Sequence, residues 1–269
     1  MTNTMLNELT NYDLKKLRQL KILLAEDNLL NAKLVSILFS QNGLKLQHVE
    51  NGVLVIEKLK TTDYDIILMD MEMPVMNGYQ ATSIIRQQLK SNIPIIALTA
   101  HVLPGEKEKC SGYGMNDYIA KPINPDLLFE SMYKLTCSNK IIVPHISSRK
   151  ILTPVAIPHQ VCNMSYLVGA TGGNKKMINN ILTVFFKETK KELIFLSEAI
   201  KKTNYPVIID VSHKIKSAFS ILGISALEPV FKEMEQLSSA ASPIERLEQL
   251  NRRVNIVFKQ ARAEMKAMD

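Results

Sequence analysis

Four apolar runs of this chain end in groups that can do chemistry. The run 22–25 ends at Glu26 and Asp27, the run 66–69 at Asp70 and the run 95–98 at Thr99, while Lys121 follows the run 118–120. If these runs are strands of one parallel sheet, their carboxyl ends converge on a single crevice. Carboxylates crowded there repel one another unless a cation lies between them. Hard oxygen ligands with room for water suit Mg²⁺. A hydroxyl and an ammonium opposite suit a phosphoryl group, whose oxygens need donors and positive charge. The set reads as an aspartate nucleophile with a metal, a hydroxyl donor and a lysine clamp. An acid ending one strand is commonly a turn former, so the reading rests on the conjunction at four strand ends.

The elements that must position these groups lie between residues 21 and 137. The four runs are short and almost continuously apolar, as strands covered on both faces by helices should be. A fifth run, 44–49, alternates in polarity and suits an edge strand. Helical spacing fills the intervals 29–41, 52–61, 78–90, 105–112 and 125–136. Five strand–helix units imply an α/β doubly wound, five-stranded parallel sheet. Residues 1–20 precede it as a short amphipathic helix, with Leu6, Leu9, Leu14, Leu17 and Leu20 near helical spacing.

Residues 138–160 carry three prolines and read as an extended linker. From residue 161 the strand-like runs give way to long helical patterns over 174–202, 205–222, 224–238 and 242–267, which predict an all-α four-helix bundle spanning 161–269. In 207–223 the apolar residues Ile208, Val211, Ile215, Phe219 and Leu222 recur at helical steps and face a core. His213 lies two residues before Ile215, which at about 100° per residue places it on the opposite, solvent face, with Lys216, Ser217 and Ser220 further along. A neutral imidazole so placed is a nucleophile, and Lys216 would offset phosphoryl charge. The other histidines, His48, His101, His145 and His159, show no ligand spacing.

The segments KILLAEDN (21–28), ENG (50–52), DIILMDMEMPVMNG (65–78), IPIIALTA (93–100) and DYIAKP (117–122) resemble the receiver domain of bacterial two-component systems, the flavodoxin-like partner of histidine kinases. The resemblance covers 21–137, and the separations of 43, 29 and 22 residues along Asp27, Asp70, Thr99 and Lys121 agree with it. It implies that Asp70 is the phosphoacceptor. It implies that Mg²⁺ is bound by Asp27 and Asp70 directly, by Glu26 through water and by the backbone carbonyl of Glu72. It also implies a cis Lys121–Pro122 peptide and a switch in which Tyr118 moves with Thr99. Glu72 adds a fourth carboxyl beside the site. The segment HKIKSAFSILG (213–223) resembles the histidine phosphotransfer domains, with Ser217 where that family has Gly, and 164–174 resembles their leading segment. By that resemblance His213 is a second phosphoacceptor assisted by Lys216.

A receiver followed by a phosphotransfer bundle looks like the C-terminal part of a hybrid sensor histidine kinase, or a free-standing relay protein. No Gly-rich ATP lid and no Walker A sequence is present, so the chain is expected to carry phosphoryl groups rather than draw them from ATP. The expected function is a two-component phosphorelay, in which Asp70 takes the phosphoryl group from a kinase phosphohistidine and His213 exchanges it with a receiver Asp. The implied partners are a sensor histidine kinase and a downstream response regulator receiver. Two alternatives stand beside it. One is an interaction module switched by phosphorylation, with His213 inert. The other is a haloacid-dehalogenase-like phosphatase, against which the chain order argues, because there the nucleophile follows the first strand and the acid pair comes late.

Composition narrows the classes further. Residues 1–137 hold 14 Lys and Arg against 15 Asp and Glu, whereas residues 138–269 hold 19 against 11. A basic half can steer acidic proteins, and no aromatic–basic interleaving points to nucleic acid. No apolar run approaches the roughly 20 residues needed to cross a bilayer, and the first residues carry no signal-peptide pattern. Three cysteines without CxxC spacing read as free thiols. A cytoplasmic protein without direct membrane insertion is expected.

Overall fold

The computed structural model describes residues 14–99, 105–137 and 161–266. Residues 1–13, the expected linker 138–160, and His101, His145 and His159 lie outside the described residues. The chain divides into two compact units, Met1–Arg149 and Lys150–Asp269.

In the first unit strand and helix alternate: β1 Ile22–Ala25, α1 Leu29–Gln41, β2 Leu46–Val49, α2 Gly52–Leu59, β3 Ile66–Asp70, α3 Gly78–Gln87, β4 Ile95–Thr99, α4 Glu106–Gly112, β5 Asp117–Ala120 and α5 Pro125–Thr136. The strands pair in parallel in the order β2-β1-β3-β4-β5. Their apolar continuity has its expected cause, since alternate side chains enter two separate cores. Ile22, Leu24, Ile66, Leu68, Ile96 and Leu98 point to one. Leu23, Ala25, Ile67, Met69, Ile95 and Ala97 point to the other. Leu14, Leu17 and Leu20, of the expected leading helix, pack against the first core.

Four connections at the carboxyl edge of this sheet are built alike. Asn28, Asn51, Asn77 and Asn124 each cap the next helix, their side-chain oxygens accepting first-turn N–H groups. At the opposite edge, Arg86 of α3 donates to the carbonyls of Gly114, Ser91 and Ile93 and to the Asn116 side chain at 2.8–3.2 Å. Asn116 in turn accepts from Ile95 N–H. These contacts tie the starts of β4 and β5 to α3 and so fix where Thr99 and Lys121 emerge at the other end.

The second unit opens with a short helix, α6 Ser165–Ala170, within the segment the sequence marked as leading into the bundle. Four long helices follow: α7 Lys175–Lys201, α8 Tyr205–Ile221, α9 Glu228–Ser239 and α10 Ile244–Lys266. Asn251 bonds Ser197 while Phe258 stacks on Phe186, so α10 runs antiparallel to α7. Tyr205 bonds the Ser242 carbonyl while Lys216 pairs with Glu235, so α9 runs antiparallel to α8. One phenylalanine from each helix meets the others at the centre: Phe219 lies 5.6 Å from Phe185, 6.0 Å from Phe231 and 6.4 Å from Phe258, centroid to centroid. Among the described residues no helix is long and apolar enough to cross a membrane.

Gly223, just past α8, holds the leading segment against the bundle. Its φ is +61°, and a Cβ there would lie 2.6 Å from the Asn163 carbonyl oxygen. Asn163 N–H bonds the Leu222 carbonyl at 2.8 Å, which keeps the two backbones that close. Gly223→Ala should therefore cost about 1–3 kcal/mol from backbone conformation alone, and more from the clash with Asn163. Faster hydrogen exchange at the amides of 161–170 and α8, with the β1–β5 amides unchanged, is the expected readout.

Candidate functional site

The sheet order brings the sequence-predicted groups together. β1 and β3 are neighbours, so Glu26, Asp27 and Asp70 emerge side by side, and each offers an oxygen within 4.8 Å of the others. β4 follows β3 and ends in Thr99, which is buried. The Thr99 carbonyl accepts Lys121 N–H at 2.7 Å, carrying the β4–β5 ladder one step past the last strand residue. That step aims the Lys121 side chain back across the sheet tips. Its Nζ lies 2.7 Å from Glu26 Oε2 and donates to Asp70 Oδ2 at 2.5 Å. The Lys121–Pro122 peptide is cis.

Electrostatics explains how two acids survive here with no access to water. Glu26 is 0% exposed and Asp70 only 3%. Burial alone would pull the Lys121 ammonium downward, but Asp70 and then Glu26 outweigh it and hold the group above the ordinary lysine value. The remaining carboxylate oxygens meet neutral donors. Glu26 Oε1 accepts from Asn31 Nδ2 at 2.8 Å and from Asn28 N–H at 3.3 Å. Asp70 Oδ1 accepts from Glu72 N–H at 3.2 Å. Asp27 is half-buried and faces the same space. Three carboxylate oxygens this close, of hard-ligand chemistry and with one acid reachable by solvent, fit a hydrated Mg²⁺.

Two positions need restating against the sequence reading. The Glu72 side chain is exposed rather than buried with the pair, and its N–H bonds Asp70. His213 does not lie on an exposed face: it is 9% exposed. Spacing had assigned α8 a single buried stripe, but the helix packs against both α7 and α9. Ser212, His213 and Ser217 are therefore buried together with Val211, Ile215 and Phe219. Lys216, one turn on, is largely buried and lies 3.7 Å from Glu235 of α9. Tyr118 is half-buried and packs against the core on its side of the sheet, beside β4.

Three positioning residues escaped the sequence reading. Asn31 and His48 have no motif to mark them, since their partners are a carboxylate and a carbonyl brought near only by folding. Gly78 stood inside a quoted segment, and its role is steric: a Cβ there would lie 2.4 Å from the Asp70 carbonyl oxygen. Its N–H bonds the Met71 carbonyl at 3.1 Å, which presses the start of α3 against the strand that bears Asp70.

Removing the central cation should expose what it balances. Lys121→Met is expected to cost about 3–5 kcal/mol at neutral pH, as for a buried pair stripped of one partner. The sign with pH follows from the raised folded-state value. Lys121 contributes its full stability below the unfolded lysine value of about 10.4 and loses it as pH climbs toward the higher folded one. The stability gap between wild type and Lys121→Met, measured by denaturant unfolding of the first unit's transition in the full chain, should narrow steadily above about pH 10.4.

Comparison with known proteins agrees with this geometry. Residues 22–133 match the response regulator receiver domain family. Hybrid signal transduction histidine kinase I of Dictyostelium discoideum is 41% identical over 126 residues, covering 44% of this chain and 7% of that protein. The signal transduction histidine-protein kinase BarA of Escherichia coli is 28% identical over 235 residues, covering 84% of this chain and 25% of BarA. The chain thus spans a quarter or less of these relatives. Among solved structures, the receiver domain of a Pseudomonas aeruginosa sensor histidine kinase, holding a magnesium ion coordinated in its active site cleft, is 38% identical with a TM-score of 0.41, covering 44% of this chain and 98% of that one. Residues 22–133 of this chain are a response regulator receiver domain.

Proposed function

We propose that the chain is a two-component phosphorelay intermediate in which Asp70 and His213 are successive phosphoryl carriers. The observation that carries the reading is the buried Asp70 carboxylate, 2.5 Å from Lys121 and grouped with Glu26 and Asp27. An Asp70 oxygen attacks the phosphorus of a phosphohistidine on a partner kinase. The P–N bond breaks, imidazole leaves, and an acyl phosphate remains on Asp70. The Lys121 ammonium and the Thr99 hydroxyl receive the phosphoryl oxygens as charge builds on them. Asp27, Asp70, Glu26 and the backbone of Glu72 are the groups that would hold Mg²⁺, which would supply positive charge against the incoming phosphate. Movement of Thr99 toward the phosphate leaves space beside β4 for Tyr118, and so couples the site to the face around β5.

The second station is His213, with Lys216 beside it to offset phosphoryl charge. Support comes from the HKIKSAFSILG segment, from the helical bundle that carries it, and from the alignment with the histidine-protein kinase BarA over 84% of this chain. The partners are a histidine kinase and a separate receiver. A solved yeast complex of the histidine phosphotransfer protein Ypd1 with the receiver of Ssk1 pairs such modules. The burial of His213 favours a second reading, in which phosphorylation of Asp70 switches a binding face and His213 is inert.

One experiment separates the two. The full chain is incubated with a labelled, phosphorylated donor kinase and a downstream receiver, as wild type, Asp70→Asn and His213→Gln. The relay expects no label on Asp70→Asn, label on His213→Gln that goes no further, and an acid-labile, base-stable phosphohistidine on the wild type. Label reaching the downstream receiver in either variant excludes the order. Absence of phosphohistidine from the wild type establishes the switch reading instead. Excess chelator should reduce Asp70 labelling to background in all forms, and unchanged labelling would remove Mg²⁺ from the mechanism.

A further inference from the structure

His48, on the edge strand β2, sits outside every motif, yet its Nε2 lies 2.6 Å from the Glu26 carbonyl oxygen. A carbonyl can only accept, so the ring carries its proton on Nε2 and donates it there. The bond falls where the sheet ladder runs out. Val49 pairs with Ala25, and Glu26 N–H bonds the Val49 carbonyl at 3.0 Å. In a parallel ladder the next donor, for the Glu26 carbonyl, would come from residue 51. The chain instead leaves the strand there, with Asn51 capping α2. The His48 side chain takes over that rung.

The peptide it holds joins Glu26 to Asp27. The Glu26 side chain is fixed independently by Lys121, Asn31 and Asn28 N–H. Asp27 is half-buried and follows that peptide directly. Its direction into the crevice depends on the orientation of the Glu26–Asp27 peptide plane, and hence on the bond from His48.

We propose that His48 is a positioning residue for the divalent cation, acting through the Glu26 carbonyl to set the direction of Asp27. The proposal rests on the receiver reading of the crevice. It assigns His48 no contact with phosphate or metal and no change of protonation. It predicts weaker cation binding with intact chemistry once the cation is saturating, because the groups that touch the phosphoryl oxygens, Lys121 and Thr99, are held by other bonds. Outer-shell partners of metal ligands typically contribute about 10–100-fold in affinity, and a partner acting through one peptide plane belongs at the lower end.

The test uses the full chain as wild type, His48→Leu, which keeps bulk and loses the donor, and His48→Gln, which keeps an N–H donor. Mg²⁺ binding is followed by calorimetric titration. Phosphorylation of Asp70 by a small acyl phosphate is followed across Mg²⁺ concentrations, and thermal unfolding is recorded alongside. Expected is a roughly tenfold rise in the Mg²⁺ dissociation constant and in the half-saturating Mg²⁺ for His48→Leu. Its rate at saturating Mg²⁺ should stay within about twofold of wild type, and His48→Gln should recover most of the loss. An unchanged Mg²⁺ constant in His48→Leu overturns the proposal. So does a fall in saturated rate and thermal midpoint without a change in that constant, which would make the bond merely structural. If the wild type itself neither binds Mg²⁺ nor phosphorylates Asp70, the receiver reading fails first; if it does both and His48→Leu matches it, His48 alone is refuted.

Discussion

Glu26 and Asp70 sit buried at the tips of adjacent strands, where like charges repel one another. The Lys121 ammonium lies between them, 2.7 Å from one and 2.5 Å from the other, and offsets that repulsion. The cation comes from a strand that is not a neighbour of either acid. It reaches them because β5 pairs with β4 and the Thr99 carbonyl takes the Lys121 N–H beyond the strand's end. The order β2-β1-β3-β4-β5 is thus an electrostatic requirement as well as a packing solution. Moving β5 away from β4, or separating β1 from β3, would bury an unbalanced charge, at several kcal/mol per ion.

The same interaction sets the terms on which a phosphoryl group could enter. Asp70 is held at both oxygens, by Lys121 and by Glu72 N–H. A carboxylate so engaged is aligned, and its donors occupy the lone pairs that an electrophile would need. The balance shifts when the phosphoryl oxygens bring negative charge of their own. On the proposed reading those oxygens would compete with the two carboxylates for Lys121, and a divalent cation would take up part of the charge balance that the lysine now supplies.

Much of this was legible in the sequence because it rests on local signals. Continuous apolar runs gave four strands to within a residue at either end, since both sheet faces are covered. The alternating run at 44–49 produced the edge strand Leu46–Val49. The acids, the threonine and the lysine were visible because strand termini in a parallel sheet share one edge. What stayed hidden depends on neighbours that only folding supplies. Asn31 and His48 look ordinary until Glu26 is beside them. His213 was misplaced for the same reason, because helical periodicity detects one apolar stripe. Helix α8 has neighbours on two sides, and Ser212, His213 and Ser217 are buried along with its apolar stripe although they carry no hydrophobic signal.

The caps around the crevice extend the electrostatic constraint to the connections. The helices that follow β1, β2, β3 and β5 all begin with an asparagine accepting first-turn N–H groups. Aspartate caps a helix as well as asparagine does, and the positive end of the helix dipole would favour its charge. At this edge, however, an acidic cap would add negative charge to a cluster that one lysine already balances. Neutral caps satisfy the backbone, and the first turns of α1, α2 and α3 carry no acid, so the positive ends of these three helices stay uncompensated beside the carboxylates. The loop residues and the buried ion pair thereby answer one physical demand: anionic groups must gather at the sheet's edge without any further anion being spent on holding it together.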